Sequence, residues 1–164
     1  MHRSVIPGKP VRRILIVIAV GLGALLLVVE AAGATPGVGL TRTTLAQVTV
    51  DPFQAGSDDT QMQVNNKADI VTQQVTVAVG GDTGWHIHHG PAFVLVKSGS
   101  FSLTHAAGCH AHVYQAGEGF VEGPNDVHIG RNVGDTPVEI VATYTNVPIG
   151  GEVALSVDAP ADCQ

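Results

Sequence analysis

The segment Trp85-His86-Ile87-His88-His89-Gly90 places imidazoles at i and i+2 in a stretch that otherwise reads as strand. Residues two apart in a strand project from the same face. His128 stands in Asp126-Val127-His128-Ile129, where apolar and polar residues again alternate, so two neighbouring strands could converge three rings on one point. Neutral imidazole is the commonest protein ligand for mid-series divalent metals, and three of them leave coordination positions open for water or a substrate. The expectation is a metal held by His86, His88 and His128 inside a β-barrel. The competing reading of His86 and His88 is a pair of polar residues on a half-exposed strand; His128 is what weighs against it.

Other candidates are weaker. Glu122, Asp126 and Tyr144 lie near His128 in the chain or on the expected last barrel strand, where each is a candidate acid, base or hydrogen-bond partner to an imidazole. Glu122 and Tyr144 are taken as the catalytic candidates. His89 is expected at the rim or surface, since a strand turns it away from His88. His110 and His112 form a second H-x-H beside Cys109, with no third partner at a familiar spacing, and read as solvent-facing. His105 reads as a loop residue. Trp85 is either a core anchor or a wall of the site.

The elements that position these residues are short and strand-like. Residues 70–79, 100–104, 112–115, 127–132, 138–146 and 153–157 are strand candidates, and 93–96 is a short apolar run. Turn signals such as Gly80-Gly81-Asp82, Lys97-Ser98-Gly99 and Gly123-Pro124-Asn125-Asp126 separate them. Many short strands with regular turns predict an all-β antiparallel sandwich or barrel, with one domain over 45–160. Residues 51–66 are polar and irregular and read as an arm wrapping the barrel, and 161–164 as a tail. Residues 35–44 hold Pro36, Gly37 and Gly39 without periodicity and read as a linker.

The N-terminus carries a different signal. Arg3, Lys9, Arg12 and Arg13 precede an uncharged apolar run over 14–29, followed by Glu30 and the small residues 31–34. This is the pattern of a secretory signal cleaved after Ala34; the alternative is a retained membrane anchor, for which the run is short. Either way the domain is expected outside the cytoplasm, secreted or held at the outer face of the membrane, with membrane contact through 1–34 only. Of the 8 basic and 14 acidic residues, the remainder keeps four and thirteen, a formal charge of −9. A chain that acidic, with Arg42, Lys67, Lys97 and Arg131 scattered, excludes nucleic acid as a partner. Cys109 and Cys163 are the two cysteines. Export places them where disulfides persist, so a Cys109–Cys163 bond is expected, the alternative being two free thiols.

These residues resemble the cupins. Gly80, His86, His88 and Gly99 fall in register with the motif G-x5-H-x-H-x3-E-x6-G, with Ala92 where the family has glutamate. Gly117, His128 and Asn132 match G-x5-P-x-G-x2-H-x3-N, with Gly123 and Asn125 replacing its proline and second glycine. The resemblance spans about residues 70–144, with its core motifs over 80–132. It implies a jelly-roll β-barrel, a metal on His86, His88 and His128, a small polar or anionic ligand, and a homodimer. It does not choose a reaction, because cupins include oxygenases, isomerases, decarboxylases and non-catalytic proteins. Ala92 at the carboxylate position leaves three neutral imidazoles and a local charge of +2 on a divalent ion. Iron, zinc, nickel or copper are then expected ahead of manganese. Two readings follow: a metal-dependent oxygenase- or isomerase-type enzyme, or a non-catalytic ligand-binding or structural barrel of the cell envelope.

Overall fold

The computed structural model describes residues 35–163. The expected export segment, residues 1–34, lies outside the described residues, as does Gln164. Among the described residues no helix is long and apolar enough to cross a membrane.

The chain runs through β1 (Val38–Val50), β2 (Phe53–Gly56), β3 (Gln61–Val64), β4 (Ala68–Asp82), β5 (His86–Ile87) and β6 (Ala92–Ser98). It continues through β7 (Ser100–His105), β8 (Ala111–Gln115), β9 (Gly119–Glu122), β10 (His128–Asn132), β11 (Val138–Val147) and β12 (Leu155–Ser156). Short 3-10 turns at Ala107–Cys109 and Ala161–Cys163 carry the two cysteines, which are disulfide-bonded to each other. β2 and β3 make a separate hairpin, and the other ten strands form one antiparallel sheet that curls into a nearly closed barrel.

β4 organises that barrel. Val, Thr and Ile dominate it, residues that suit a pleated surface. One side of β4 pairs with β1 along most of its length and the other with β11, which leads on to β6 and β9. Its last residue, Asp82, pairs with Arg131 of β10, and β10 continues the sheet to β5 and β12 on one side and to β7 and β8 on the other. Period-2 alternation then decides what faces inward. Along β6, Ala92, Val94 and Val96 are buried while Phe93 and Leu95 are exposed. The inward rows of β4, β6 and β11, with Phe101 of β7, form the hydrophobic core. Phe101 packs so closely on β10 that a Cβ at Gly130 would collide with its ring.

Three local expectations are corrected. Residues 38–44 of the expected linker belong to β1, and Thr35 is itself fixed, its amide donating to the Val157 carbonyl at 3.2 Å. The β-branched run Thr41, Thr43, Thr44, Val48, Thr49 and Val50 outweighs the preceding Pro36 and Gly37. The expected irregular arm contains the β2–β3 hairpin, and β9 was not anticipated at all. Asp69 fastens this N-terminal strand. Its buried carboxylate accepts from Gln47 Nε2 at 2.7 Å, Thr49 Oγ1 at 2.5 Å and the Gly150 amide at 3.0 Å, tying β1 and the turn after β11 to β4.

Candidate metal centre

β5 and β10 lie side by side with His86 and His128 as direct register partners. His88, two residues on, returns to the same side, and the three side chains are buried together in the barrel. Their ring centroids lie 4.3, 4.8 and 5.1 Å apart. One nitrogen from each falls within 4.8 Å of the others.

The backbone sets which nitrogen that is. Nδ1 of His86 contacts the Gly84 carbonyl at 2.8 Å, Nδ1 of His88 the Val153 carbonyl at 2.7 Å, and Nδ1 of His128 the Asp126 carbonyl at 2.8 Å. A carbonyl only accepts, so each Nδ1 carries the proton and, in the neutral ring, each Nε2 is left with a lone pair. Nε2 of His88 and of His128 is buried without a hydrogen-bond partner. Buried nitrogens in that state are costly unless something takes the lone pair.

A carboxylate stands beside them. Glu122 of β9 is buried, with Oε2 3.0 Å from Nε2 of His88 and Oε1 3.2 Å from Nε2 of His128. A carboxylate only accepts, so either contact becomes a hydrogen bond only when that Nε2 carries a proton. Burial alone would raise the Glu122 pKa; the His128 and His88 imidazoles reverse that and hold the carboxyl well below its usual range. Burial would likewise lower the pKa of His128, and the contact with Glu122 overrides it, so the net shift is upward. His86 has no such partner. Its burial, with His128 and His88 alongside, lowers its pKa to about 3, leaving it neutral. Tyr144 of β11 lies with its ring 5.0 Å from that of His88. Burial first, and then the Glu122 charge, push its phenol well above the usual value, so it stays protonated, and the Arg42 charge opposes this only in part.

The space fits an ion. Three imidazole Nε2 atoms and one carboxylate are donors of the type that hold divalent metals. A cavity of about 20 Å³ lies against His86, His88, Glu122 and Tyr144, enough for one water-sized occupant. Outside it, a larger hollow of about 410 Å³ opens to solvent, and Arg42, Thr83 and His86 line both spaces.

Residues 73–144 match the family model described as Cupin domain. That stretch is similar to the cupin domain. Among solved structures, the polyketide cyclase RemF from Streptomyces resistomycificus is similar over 79% of each chain, at 15% identity and a TM-score of 0.53, a likeness of fold. A cupin-like protein from Thermotoga maritima is 20% identical over 55% of this chain and 65% of its own, with a TM-score of 0.47. An oxalate oxidase solved with the substrate analogue glycolate is 27% identical over 45% of this chain, with a TM-score of 0.42; the match spans 40% of the oxidase. No curated protein matches the chain.

Within the cupin pattern, the residue at the usual carboxylate position is Ala92, and Ala92 on β6 is the direct register partner of Glu122 on β9. A carboxylate on the neighbouring strand, directly opposite Ala92, therefore stands beside His88 and His128. Glu122 thus supplies, beside His88 and His128, a carboxylate that the sequence pattern alone did not place there. Glu122 and Tyr144, both singled out from the sequence, line the inner cavity. His110 and His112 are exposed. His105 ends β7 instead of lying in a loop, and its Nδ1 contacts Asp126 at 2.6 Å, bracing the residue whose carbonyl orients His128. Trp85 is buried, with the Arg131 guanidinium 5.9 Å from its ring. Arg42, expected only as one of four scattered basic residues, lines the inner cavity because β1 carries it there.

Proposed function

We propose that this protein is an exported, metal-dependent cupin that binds a divalent ion through His86, His88, His128 and Glu122 and presents it to one small polar or anionic molecule. The observation that carries the reading is the locking of all three Nδ1 atoms on backbone carbonyls, which turns the Nε2 atoms of His88 and His128 toward the same buried carboxylate, Glu122. Such outer contacts fix tautomer and ring orientation, and they are the usual companions of metal-bound histidine. The Cys109–Cys163 disulfide supports export.

A bound divalent ion would supply Lewis acidity, lowering the pKa of a coordinated water and polarising a bound oxygen. The residues of this chain do the rest. Glu122 offsets one positive charge and stays ionised. Tyr144 keeps its proton and offers a donor at the cavity wall. The buried Val75 of β4 and Val94 of β6 give the inner cavity an apolar wall that excludes bulk water. Our reading is therefore a metal-dependent enzyme of oxygenase or isomerase type, with the protonated Tyr144 as a hydrogen-bond donor to whatever binds beside the histidines.

A second reading has one observation behind it: the ionised Glu122 already lies against two imidazoles, so a protonated His128 could balance it in a non-catalytic barrel. Loading the purified protein with iron, manganese, nickel, copper or zinc and measuring occupancy, thermal shift and oxygen uptake separates the two. The metal-centre reading expects one ion per chain and loss of that ion in His88→Ala. Occupancy without turnover of any tested small acid would favour the binding module, and no occupancy the metal-free barrel.

A further inference from the structure

The larger hollow contains an unpaired cation. Among the described residues Lys67 pairs with Asp51, Lys97 with Glu139, and Arg131 lies over Trp85. Arg42 forms no ion pair among the described residues, although this half of the chain is acidic. Its place follows from register. Arg42 is the partner of Val75 across β1 and β4, and paired residues in an antiparallel sheet point to the same face. Val75 is buried in the barrel core, so Arg42 reaches over the barrel mouth, lining both the inner cavity and the hollow outside it. A second unsatisfied group lies close by: Oε1 of Gln73 is buried with no hydrogen-bond partner, while Nε2 of the same side chain donates to Thr44 Oγ1 at 3.2 Å. Glu152 lines the hollow too, and its carboxylate disfavours a second anionic group on any occupant.

From these three groups we infer that the hollow receives a small monocarboxylate carrying a hydroxyl or amine, its carboxylate on Arg42, its donor hydrogen on Gln73 Oε1, and its reactive end directed past Thr83 toward the histidines. Guanidinium is the cation best matched to a carboxylate, because its fork gives two parallel hydrogen bonds. The hollow, at about 410 Å³, lies in the size range of small-molecule sites. The inference rests on the metal-centre reading only for the direction in which the ligand points; the anion selectivity belongs to Arg42 itself.

Calorimetric titration of the metal-loaded protein with lactate, lactamide and propionate tests it. Wild type should bind lactate at least tenfold more tightly than lactamide, the neutral isostere, and Arg42→Gln should abolish that difference without changing metal content. Gln73→Leu should weaken lactate severalfold and leave propionate unchanged. Equal binding of lactate and lactamide by wild type, or a preference that survives in Arg42→Gln, would overturn the Arg42 assignment. Equal losses for lactate and propionate would overturn that of Gln73. If the protein takes up no metal, the centre is refuted separately, and the lactate–lactamide comparison on the metal-free protein still decides the hollow.

Discussion

Ala92 and Glu122 face each other across the β6–β9 pair, and the carboxylate that the cupin pattern places on the first strand stands here on the second. In an antiparallel sheet, directly opposed residues have Cβ atoms about 4.5–5.5 Å apart, a gap that a glutamate side chain spans. The swap therefore keeps a carboxylate beside His88 and His128 while changing the residue that supplies it.

Moving the carboxylate back should be tolerated. Glu122→Ala is expected to weaken metal binding by roughly 100-fold, at or above the upper end of what loss of an outer-shell partner costs. Ala92→Glu combined with Glu122→Ala should recover at least a tenth of the wild-type affinity. Chelator competition measures both, and a double variant no better than Glu122→Ala would show that the two positions are not equivalent.

Ala92→Glu alone should do harm, because two carboxylates would then share one buried site and one would be forced to hold a proton. A lowered melting temperature in the metal-free protein, relieved on adding metal, is the expected outcome.

The metal-free protein should lose stability as acidity increases. His86 is buried, and its pKa falls from the ordinary 6.5 to about 3. Its contribution to stability is thus fully present above pH 6.5 and is lost as pH drops toward 3, because the unfolded chain takes up the proton first. The effect is on the order of a few kcal/mol. Urea midpoints between pH 7 and 4 should fall less steeply in His86→Gln than in wild type.

Gly130 lies against the Phe101 ring on the strand that carries His128. Gly130→Ala must push that ring or bend β10, and overpacking of this kind costs about 1–3 kcal/mol. Phe101→Leu in the same chain should restore part of the loss, as read by denaturant unfolding.

Much of this was legible in the residues and some was not. The histidine triad could be read because its geometry depends on two short motifs, each confined to one strand where period 2 fixes the facing. The disulfide could be read because compartment and cysteine count leave few options. Glu122 was marked as an acid near the site, but its place opposite Ala92 depends on which strands pair and in what register, and that is settled by tertiary packing. β1 was hidden by Pro36, Gly37 and Gly39, turn-forming residues of which Gly39 lies within the strand itself, one residue after its start. With β1 unseen, Arg42 had no face to belong to.

The most direct test of the central claim is the metal content and affinity of wild type beside His128→Ala after loading with manganese, iron, nickel, copper or zinc. The account predicts one tightly held ion per folded wild-type chain and none in the variant, with circular dichroism showing both barrels intact. A wild-type protein that is fully folded yet retains no ion under any of these loadings would contradict it.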